Sequence, residues 1–219
     1  MSRSRRLLAL LLAAGAALVL AACGDEEETT STAAGSAECE DVEAAEPKQV
    51  KLKRPSLDPP SAGTVATFET SCGPIEIELD SKRAPRTAAS FAYLVEEGVY
   101  DGTGFHRVAP GFVIQGGDPA GNGTGGPGYF VDEPPPADLV YTDGLVAMAK
   151  SEAEPPGRSG SQFYIVTAPD AGLPPDYALV GEVVGGEDTV KRIEDLGPPG
   201  GDAPPSQPVV IDQATLEEG

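Results

Sequence analysis

The chain has 219 residues, with 15 Lys and Arg against 35 Asp and Glu, a formal charge of −20 and a single histidine. Such a balance excludes a nucleic-acid binder, which needs a basic face, and makes a folded domain that anionic lipid repels. Glycine and proline number 27 and 22, too many for a helical bundle and suited to a turn-rich β domain joined to a loose linker.

The first residues, "MSRSRRLLALLLAAGAALVLAAC", carry Arg3, Arg5 and Arg6 and then an apolar run from Leu7 to Ala22. This is the pattern of a signal peptide, and the run is short for a membrane-spanning helix. Leu20-Ala21-Ala22-Cys23 resembles a bacterial lipobox, with cleavage before Cys23 and a lipid on that cysteine. An uncleaved anchor or a plain secretory signal is the alternative. Loss of the leader takes the net charge from −20 to −23. Attachment to the extracytoplasmic face of the cell membrane would then rest on buried CH₂ groups, not on charge.

Residues 23–62 are acidic, then Ser/Thr/Ala-rich, then Pro- and Lys-bearing, with no lasting period. They read as a tether, in which Val50 and Leu52 pack locally at most. Cys39 lies in it, and Cys72 in a turn further on. An even count outside the cytoplasm permits one disulfide, and two free thiols are the alternative.

A domain is expected over 63–219. "TVATFET" and "PIEIELD" alternate apolar and polar around Ser71-Cys72-Gly73, a hairpin. In "APRTAASFAYLVEEGVY", Pro85 suits a helix's first turn and Ala88, Phe91, Leu94 and Val95 share one face, with Gly98 as the stop. Short strands follow around Phe105–Val108 and Phe112–Gln115, then over 144–150, 162–168 and 178–184. "EDTVKRIEDLG" is a second helix with Val190 and Ile193 inward and Gly197 as its stop, and "PVVIDQATLE" is a closing strand. Strands separated by Gly/Pro turns argue for a mainly β fold, an eight-stranded closed antiparallel barrel capped by two α-helices. A monomer is expected.

The stretch "GFHRVAPGFVIQGGDPAGNGTGGPGY" (104–129) holds the only histidine. Its glycines lack the Gly-Lys-Ser/Thr and the following helix that a phosphate loop needs. One histidine and two dispersed cysteines do not make a zinc set, and no calcium-loop spacing occurs, so no metal and no cofactor are expected. His106 has no nucleophile elbow to serve; beside Phe105 in an apolar-flanked strand it reads as a structural group. Arg107 points to the other side of the strand. With Phe112, Val113 and Gln115 it would make a cation beside an apolar patch; a surface salt bridge fits it equally well.

"FHRVAPGFVIQGGDPAGNGTGGPG", "GLVAMAK" and "SGSQFYIVTA", in this order, resemble the cyclophilin-type peptidyl-prolyl cis/trans isomerases over Thr64 to Leu216. The resemblance implies the same barrel and rotation of X–Pro bonds in proline-containing polypeptides. It gives Arg107 and Gln115 the catalytic positions and seats the proline on Phe112, Val113, Tyr164 and Leu173. Gly123, Ala149, Lys150, Ser151 and Gln162 would line the neighbouring groove. Lys150 stands where asparagine is often found, and Tyr177 where histidine is. Gly172 replaces the tryptophan of cyclosporin-sensitive members, which implies weak cyclosporin binding. The loop "SEAEPPGRSG" is longer than usual, which leaves substrate preference open. The competing class is a tethered module or holding chaperone that only binds proline segments; a changed Arg107 or Gln115 would have signalled it.

Overall fold

The computed structural model describes residues 38–219. The leader, Cys23 and the first part of the expected tether lie outside the described residues. Eleven strands and two helices follow in the order β1 (Val65–Thr70), β2 (Gly73–Leu79), α1 (Pro85–Glu96), β3 (Thr103–Gly104), β4 (Arg107–Ala109), β5 (Val113–Gly116) and β6 (Val131–Asp132). The remainder are β7 (Leu145–Met148), β8 (Arg158–Ser159), β9 (Phe163–Val166), β10 (Leu179–Gly185), α2 (Glu187–Asp195) and β11 (Val210–Glu217).

Nine strands form one antiparallel sheet in the order β3-β11-β1-β2-β10-β7-β9-β5-β4, and β6 pairs with β8. The two edge strands, β3 and β4, are consecutive in the chain, with only Phe105 and His106 between them. A flat sheet of this size would be about 38 Å wide, whereas three residue steps span about 10 Å. The sheet therefore curls, bringing the end of β3 and the start of β4 near one another. This is the expected mainly β fold of a curled antiparallel sheet with two helices; nine strands share the sheet where eight were expected, and no ladder joins β3 to β4. The three unexpected strands, β3, β6 and β8, are two residues long each, too short to carry a period.

Strand alternation sorts the side chains into two apolar layers. Val108, Ile114, Ile165 and Val146 lie in register on the inner side and belong to the main core. That core is centred on Phe68, Phe91, Tyr100 and Phe163, whose ring centroids lie 5.1–6.0 Å apart. The next row outward is Arg107, Gln115, Tyr164, Ala147 and Leu179, again in register across five strands. Val113, Tyr164, Val166, Ala147 and Leu179 of the outer layer form a second cluster, covered by Leu139 and Tyr141. The strands β7 and β9 are buried on both faces for this reason.

The helices match their sequence pattern. Ala88, Phe91, Leu94 and Val95 of α1 are buried, as are Val190 and Ile193 of α2. Ala84 offers α1 no side-chain cap. The carboxylate of Glu133 replaces it, accepting from the amides of Arg86 (3.2 Å) and Thr87 (2.6 Å) and from the Thr87 hydroxyl (2.7 Å). An anion at this end also complements the helix dipole.

Residues 38–62 contain no helix or strand, but they do not stand off from the domain. Cys39 is bridged to Cys72, so the pairing is the disulfide and not two thiols. The amides of Glu40, Lys48 and Leu52 donate to the carbonyls of Ser71, Pro119 and Pro127 at 2.7–2.8 Å. The Lys48 ammonium donates to the carbonyls of Gly98 (3.2 Å) and Asp101 (2.6 Å), just past the end of α1. Val50, Leu52 and Leu57 pack against the main core. This part of the expected tether is a strap laid along the domain. Its anchors are backbone hydrogen bonds and scattered apolar residues, which leave no periodic trace. Among the described residues no helix is long and apolar enough to cross a membrane.

Candidate active site

The register of β4 against β5 sets Arg107 opposite Gln115. Arg107 Nη1 donates to Gln115 Oε1 at 3.0 Å. Gln115 Nε2 donates to Gln162 Oε1 at 3.1 Å, and Gln162 Nε2 to the carbonyl of Gly125 at 3.0 Å. A directed chain of hydrogen bonds thus crosses the site and fixes each amide's orientation. The guanidinium carbon lies 5.9 Å from the Phe112 ring centroid. From the other side Asp202 accepts from Arg107 Nε (2.7 Å) and Nη2 (2.8 Å). Arg107 therefore has both the neighbours expected of a working cation and a salt bridge. Three of the five N–H donors of a guanidinium are used, and two remain.

Beside the arginine, Phe112, Val113, Tyr164, Leu173 and Tyr177 gather in the outer apolar cluster. Val113 and Tyr164 form a buried floor, and Phe112, Leu173 and Tyr177 a half-buried rim. Tyr141, which no sequence pattern singles out, holds this rim: its hydroxyl donates to the Tyr177 carbonyl (2.7 Å) and accepts from the Tyr177 amide (3.0 Å). Burial pushes the Tyr141 hydroxyl up to about 12, so it stays a donor. The Tyr164 hydroxyl is buried without a partner among the described residues. Gly172 has no atom within 4 Å of where a Cβ would stand, so the position is open.

On the far side of Gln115 a groove of about 560 Å³ is lined by Gly123, Ala149, Lys150, Ser151 and Gln162, together with Phe130 and Val50. All the groove positions implied by the resemblance meet here. Val50, from the strap, is an addition. The Lys150 ammonium lies 5.2 Å from the Tyr177 ring centroid and donates to the carbonyls of Ser151 and Glu154 at 3.3 Å. Glu154 Oε2 accepts from the amide (2.7 Å) and hydroxyl (3.0 Å) of Ser151, folding the long loop back on itself.

The glycine-rich loop is organised by Asp118, which is 1% exposed. Its carboxylate accepts from the amides of Ala120 (2.8 Å), Asn122 (2.9 Å) and Gly123 (2.5 Å). Those three amides are therefore already occupied by a carboxylate of the same loop. Gly125 passes so close to Asp118 that a Cβ there would collide with the carboxylate. His106 Nδ1 is buried without a partner, and Nε2 has only a 3.5 Å approach to Gln115 Nε2. Burial lowers its pKa against the opposing pull of Asp118, and Arg107 lowers it further. A neutral imidazole with neither a nucleophile nor a carboxylate in hydrogen-bond reach is a structural group, as its setting in the sequence suggested. Beside it the site offers a held cation, a neutral amide and an apolar seat.

The family model "Cyclophilin type peptidyl-prolyl cis-trans isomerase/CLD" matches residues 65–216. The chain belongs to this family. It is 46% identical over 137 residues to peptidyl-prolyl cis-trans isomerase B of Streptomyces anulatus, covering 55% of this chain and 76% of that one. It is 37% identical over 177 residues to peptidyl-prolyl cis-trans isomerase-like 2 of Cryptococcus neoformans. That match covers 77% of this chain but spans only 30% of the relative. The fold is similar to a crystal structure of a Cryptosporidium parvum cyclophilin type isomerase in the presence of the dipeptide Ala-Pro. The TM-score is 0.64 at 29% identity, covering 71% of this chain and 99% of the other.

Proposed function

We propose that the chain is a peptidyl-prolyl cis/trans isomerase that rotates X–Pro bonds by non-covalent electrostatic stabilisation at Arg107. The observation that carries this reading is a guanidinium held by Gln115 beside the apolar seat of Phe112, Val113, Tyr164 and Leu173. Amide resonance sets a barrier of about 20 kcal/mol to the rotation. In the twisted state that resonance is lost and the proline nitrogen regains its lone pair. A donor aimed at that nitrogen binds the twisted state better than either planar one, and only such differential binding accelerates the reaction. Arg107 supplies that donor from the N–H groups left free by Gln115 and Asp202. The apolar seat holds the proline ring while the acyl side turns, and Gln115 and Gln162 offer amide groups to the substrate backbone. Each tenfold gain in rate needs about 1.4 kcal/mol, so a few charge-assisted hydrogen bonds are adequate in scale.

The protein acts, on this reading, on secreted or cell-surface polypeptides, held to the membrane by lipid on Cys23. The leader pattern supports this, and so does the Cys39–Cys72 disulfide, which belongs to an oxidising compartment. Gly172 leaves cyclosporin without the ring it uses in sensitive relatives, so inhibition is weak. The test of catalysis is exchange spectroscopy on an Ala-Pro peptide, which reads cis/trans interconversion directly. Acceleration by substoichiometric protein supports the assignment. Tight binding without acceleration would make the chain a proline-binding module instead.

A further inference from the structure

The cations of this acidic chain are unevenly placed. Most Lys and Arg side chains of the described residues are committed: Arg83 to Asp80 and Glu182, Arg107 to Asp202, Arg158 to Asp132, Lys191 to Glu194 and Asp195. Arg192 and Lys48 are spent on backbone carbonyls. Among the described residues Lys51, Lys53, Arg54, Lys82 and Arg86 have no side-chain hydrogen bond or ion pair, and three of these five lie on the strap. Lys51, Lys53 and Arg54 are exposed.

The strap runs beside the substrate groove. Its Val50 lines that groove, Leu52 is bonded to Pro127 of the groove wall, and Lys51 packs on Gly128. Arg54 and Arg86 both act electrostatically on Asp132, which Arg158 already holds, and Arg54 acts on Tyr129. Arg158 in turn stacks over Phe130, 5.4 Å from its centroid, and Phe130 is 54% exposed at the groove's edge. The carboxylates nearby are used internally: Glu133 caps α1, Glu154 folds its own loop, and Asp118 organises the glycine loop. These carboxylates keep their charge, but none of them forms an ion pair with Lys51, Lys53 or Arg54.

We propose that Lys51, Lys53 and Arg54 of the strap, with Arg86, form a docking rim for acidic residues flanking the proline of the substrate. The inference rests on the isomerase reading and names the substrate class it acts on: proline-containing segments with Asp or Glu nearby. The bulk negative charge does not prevent this, because salt screens charges beyond about 8–10 Å, while the rim lies beside the bound chain. The exposed Phe130 ring offers apolar contact at the same edge. The disulfide and the backbone hydrogen bonds fix the strap, so little ordering entropy opposes docking.

The test compares three peptides with one common X–Pro bond and neutral, acidic or basic flanks, on the N-terminal side in one series and the C-terminal side in another. Binding is read by fluorescence anisotropy and turnover by exchange spectroscopy, on the wild type and on a Lys51→Ala/Lys53→Ala/Arg54→Ala variant. Acidic flanks in at least one series should bind about fivefold to tenfold tighter than neutral ones, since each exposed pair contributes a fraction of a kcal/mol. The ratio should fall towards one in the variant and in about 0.5 M salt. Equal binding of acidic and neutral peptides by the wild type would overturn the inference, as would a preference that survives in the variant. If the variant instead loses only binding to phosphatidylglycerol–phosphatidylcholine vesicles, the rim belongs to the membrane and the inference is wrong. Failure of every peptide to be turned over would sink the isomerase reading, and the binding ratios would still decide this one.

Discussion

Asp202 grips the guanidinium of Arg107 through Nε at 2.7 Å and Nη2 at 2.8 Å, while Gln115 takes Nη1 at 3.0 Å. Asp202 sits on the loop after α2, and that loop is tied to β4 by a bridge between Ala203 and Val108. The arginine is fixed from two sides before substrate arrives, so it has little to reorganise during rotation. On the proposed mechanism Asp202 is a positioning residue acting through Arg107. Asp202→Asn should lower kcat about twofold to fivefold with a smaller change in KM, the size expected for a half-exposed pair. The Arg107 Nε–H resonance should broaden in the same variant, and Asp202→Glu should recover part of the rate. A rise in kcat on substitution would mean that Asp202 obstructs the arginine.

His106 supplies a pH dependence of stability without one of chemistry. Its folded pKa lies below the ordinary 6.5, chiefly through burial. The unfolded chain therefore takes up a proton first as pH falls. The stabilisation by neutral His106 is complete above pH 6.5 and is lost as pH drops from there through the folded pKa. Chemical denaturation at a series of pH values should show this loss, and His106→Asn should remove that component. As the only histidine, its imidazole resonance reports the folded pKa directly. A folded pKa above 6.5 would reverse the sign and refute the argument.

The Cys39–Cys72 bridge closes a loop of 33 residues that includes the strap. Chain-entropy reasoning assigns such a crosslink about 2–4 kcal/mol. Replacing both cysteines by alanine should lower the urea midpoint accordingly and make proteolysis begin between residues 40 and 62. An unchanged midpoint would mean that the backbone hydrogen bonds alone hold the strap.

The Tyr164 hydroxyl is buried with no partner among the described residues, and burial holds it well above the usual tyrosine range. An unsatisfied buried group of this kind costs about 1–3 kcal/mol. Tyr164→Phe keeps the ring in the proline seat and should raise Tm by roughly 2–8 °C. A fall in Tm would show that the hydroxyl finds a partner in solution.

Much of this was legible in the sequence. The β1–β2 hairpin and both helices carry long, clean periods, so their apolar faces could be named residue by residue. The family motif joined Arg107, Gln115, Phe112, Val113, Gln162 and Tyr164, and the fold brings these together on its outer layer. What escaped was contact between distant segments. Asp202 stands in "GPPGGDAPPSQP", where no period marks a partner for β4. Glu133 and Asp118 lie in irregular loops, and only the folded backbone delivers amides to them. The strap looked like a tether because polar, Pro-rich sequence is as well suited to a bound extended chain as to a free one. The signal that could have separated the two is the recurrence of Val50, Leu52 and Leu57 in the segment between Cys39 and Cys72.

The central claim is that a positioned guanidinium, and no acid or base, drives the rotation. Its most direct test is the exchange rate of an Ala-Pro peptide at saturating substrate with wild type, Arg107→Lys and Arg107→Ala. Loss of one preorganised donor set of this kind costs about 10²–10³ in kcat. Arg107→Ala should fall by that order, and Arg107→Lys should recover only a small part, because a point charge cannot reproduce the fork held by Gln115 and Asp202. The wild-type rate should also stay level between pH 7 and 9, where His106 is neutral. An Arg107→Ala variant that retains most of the wild-type rate, with its fold intact, would contradict the account.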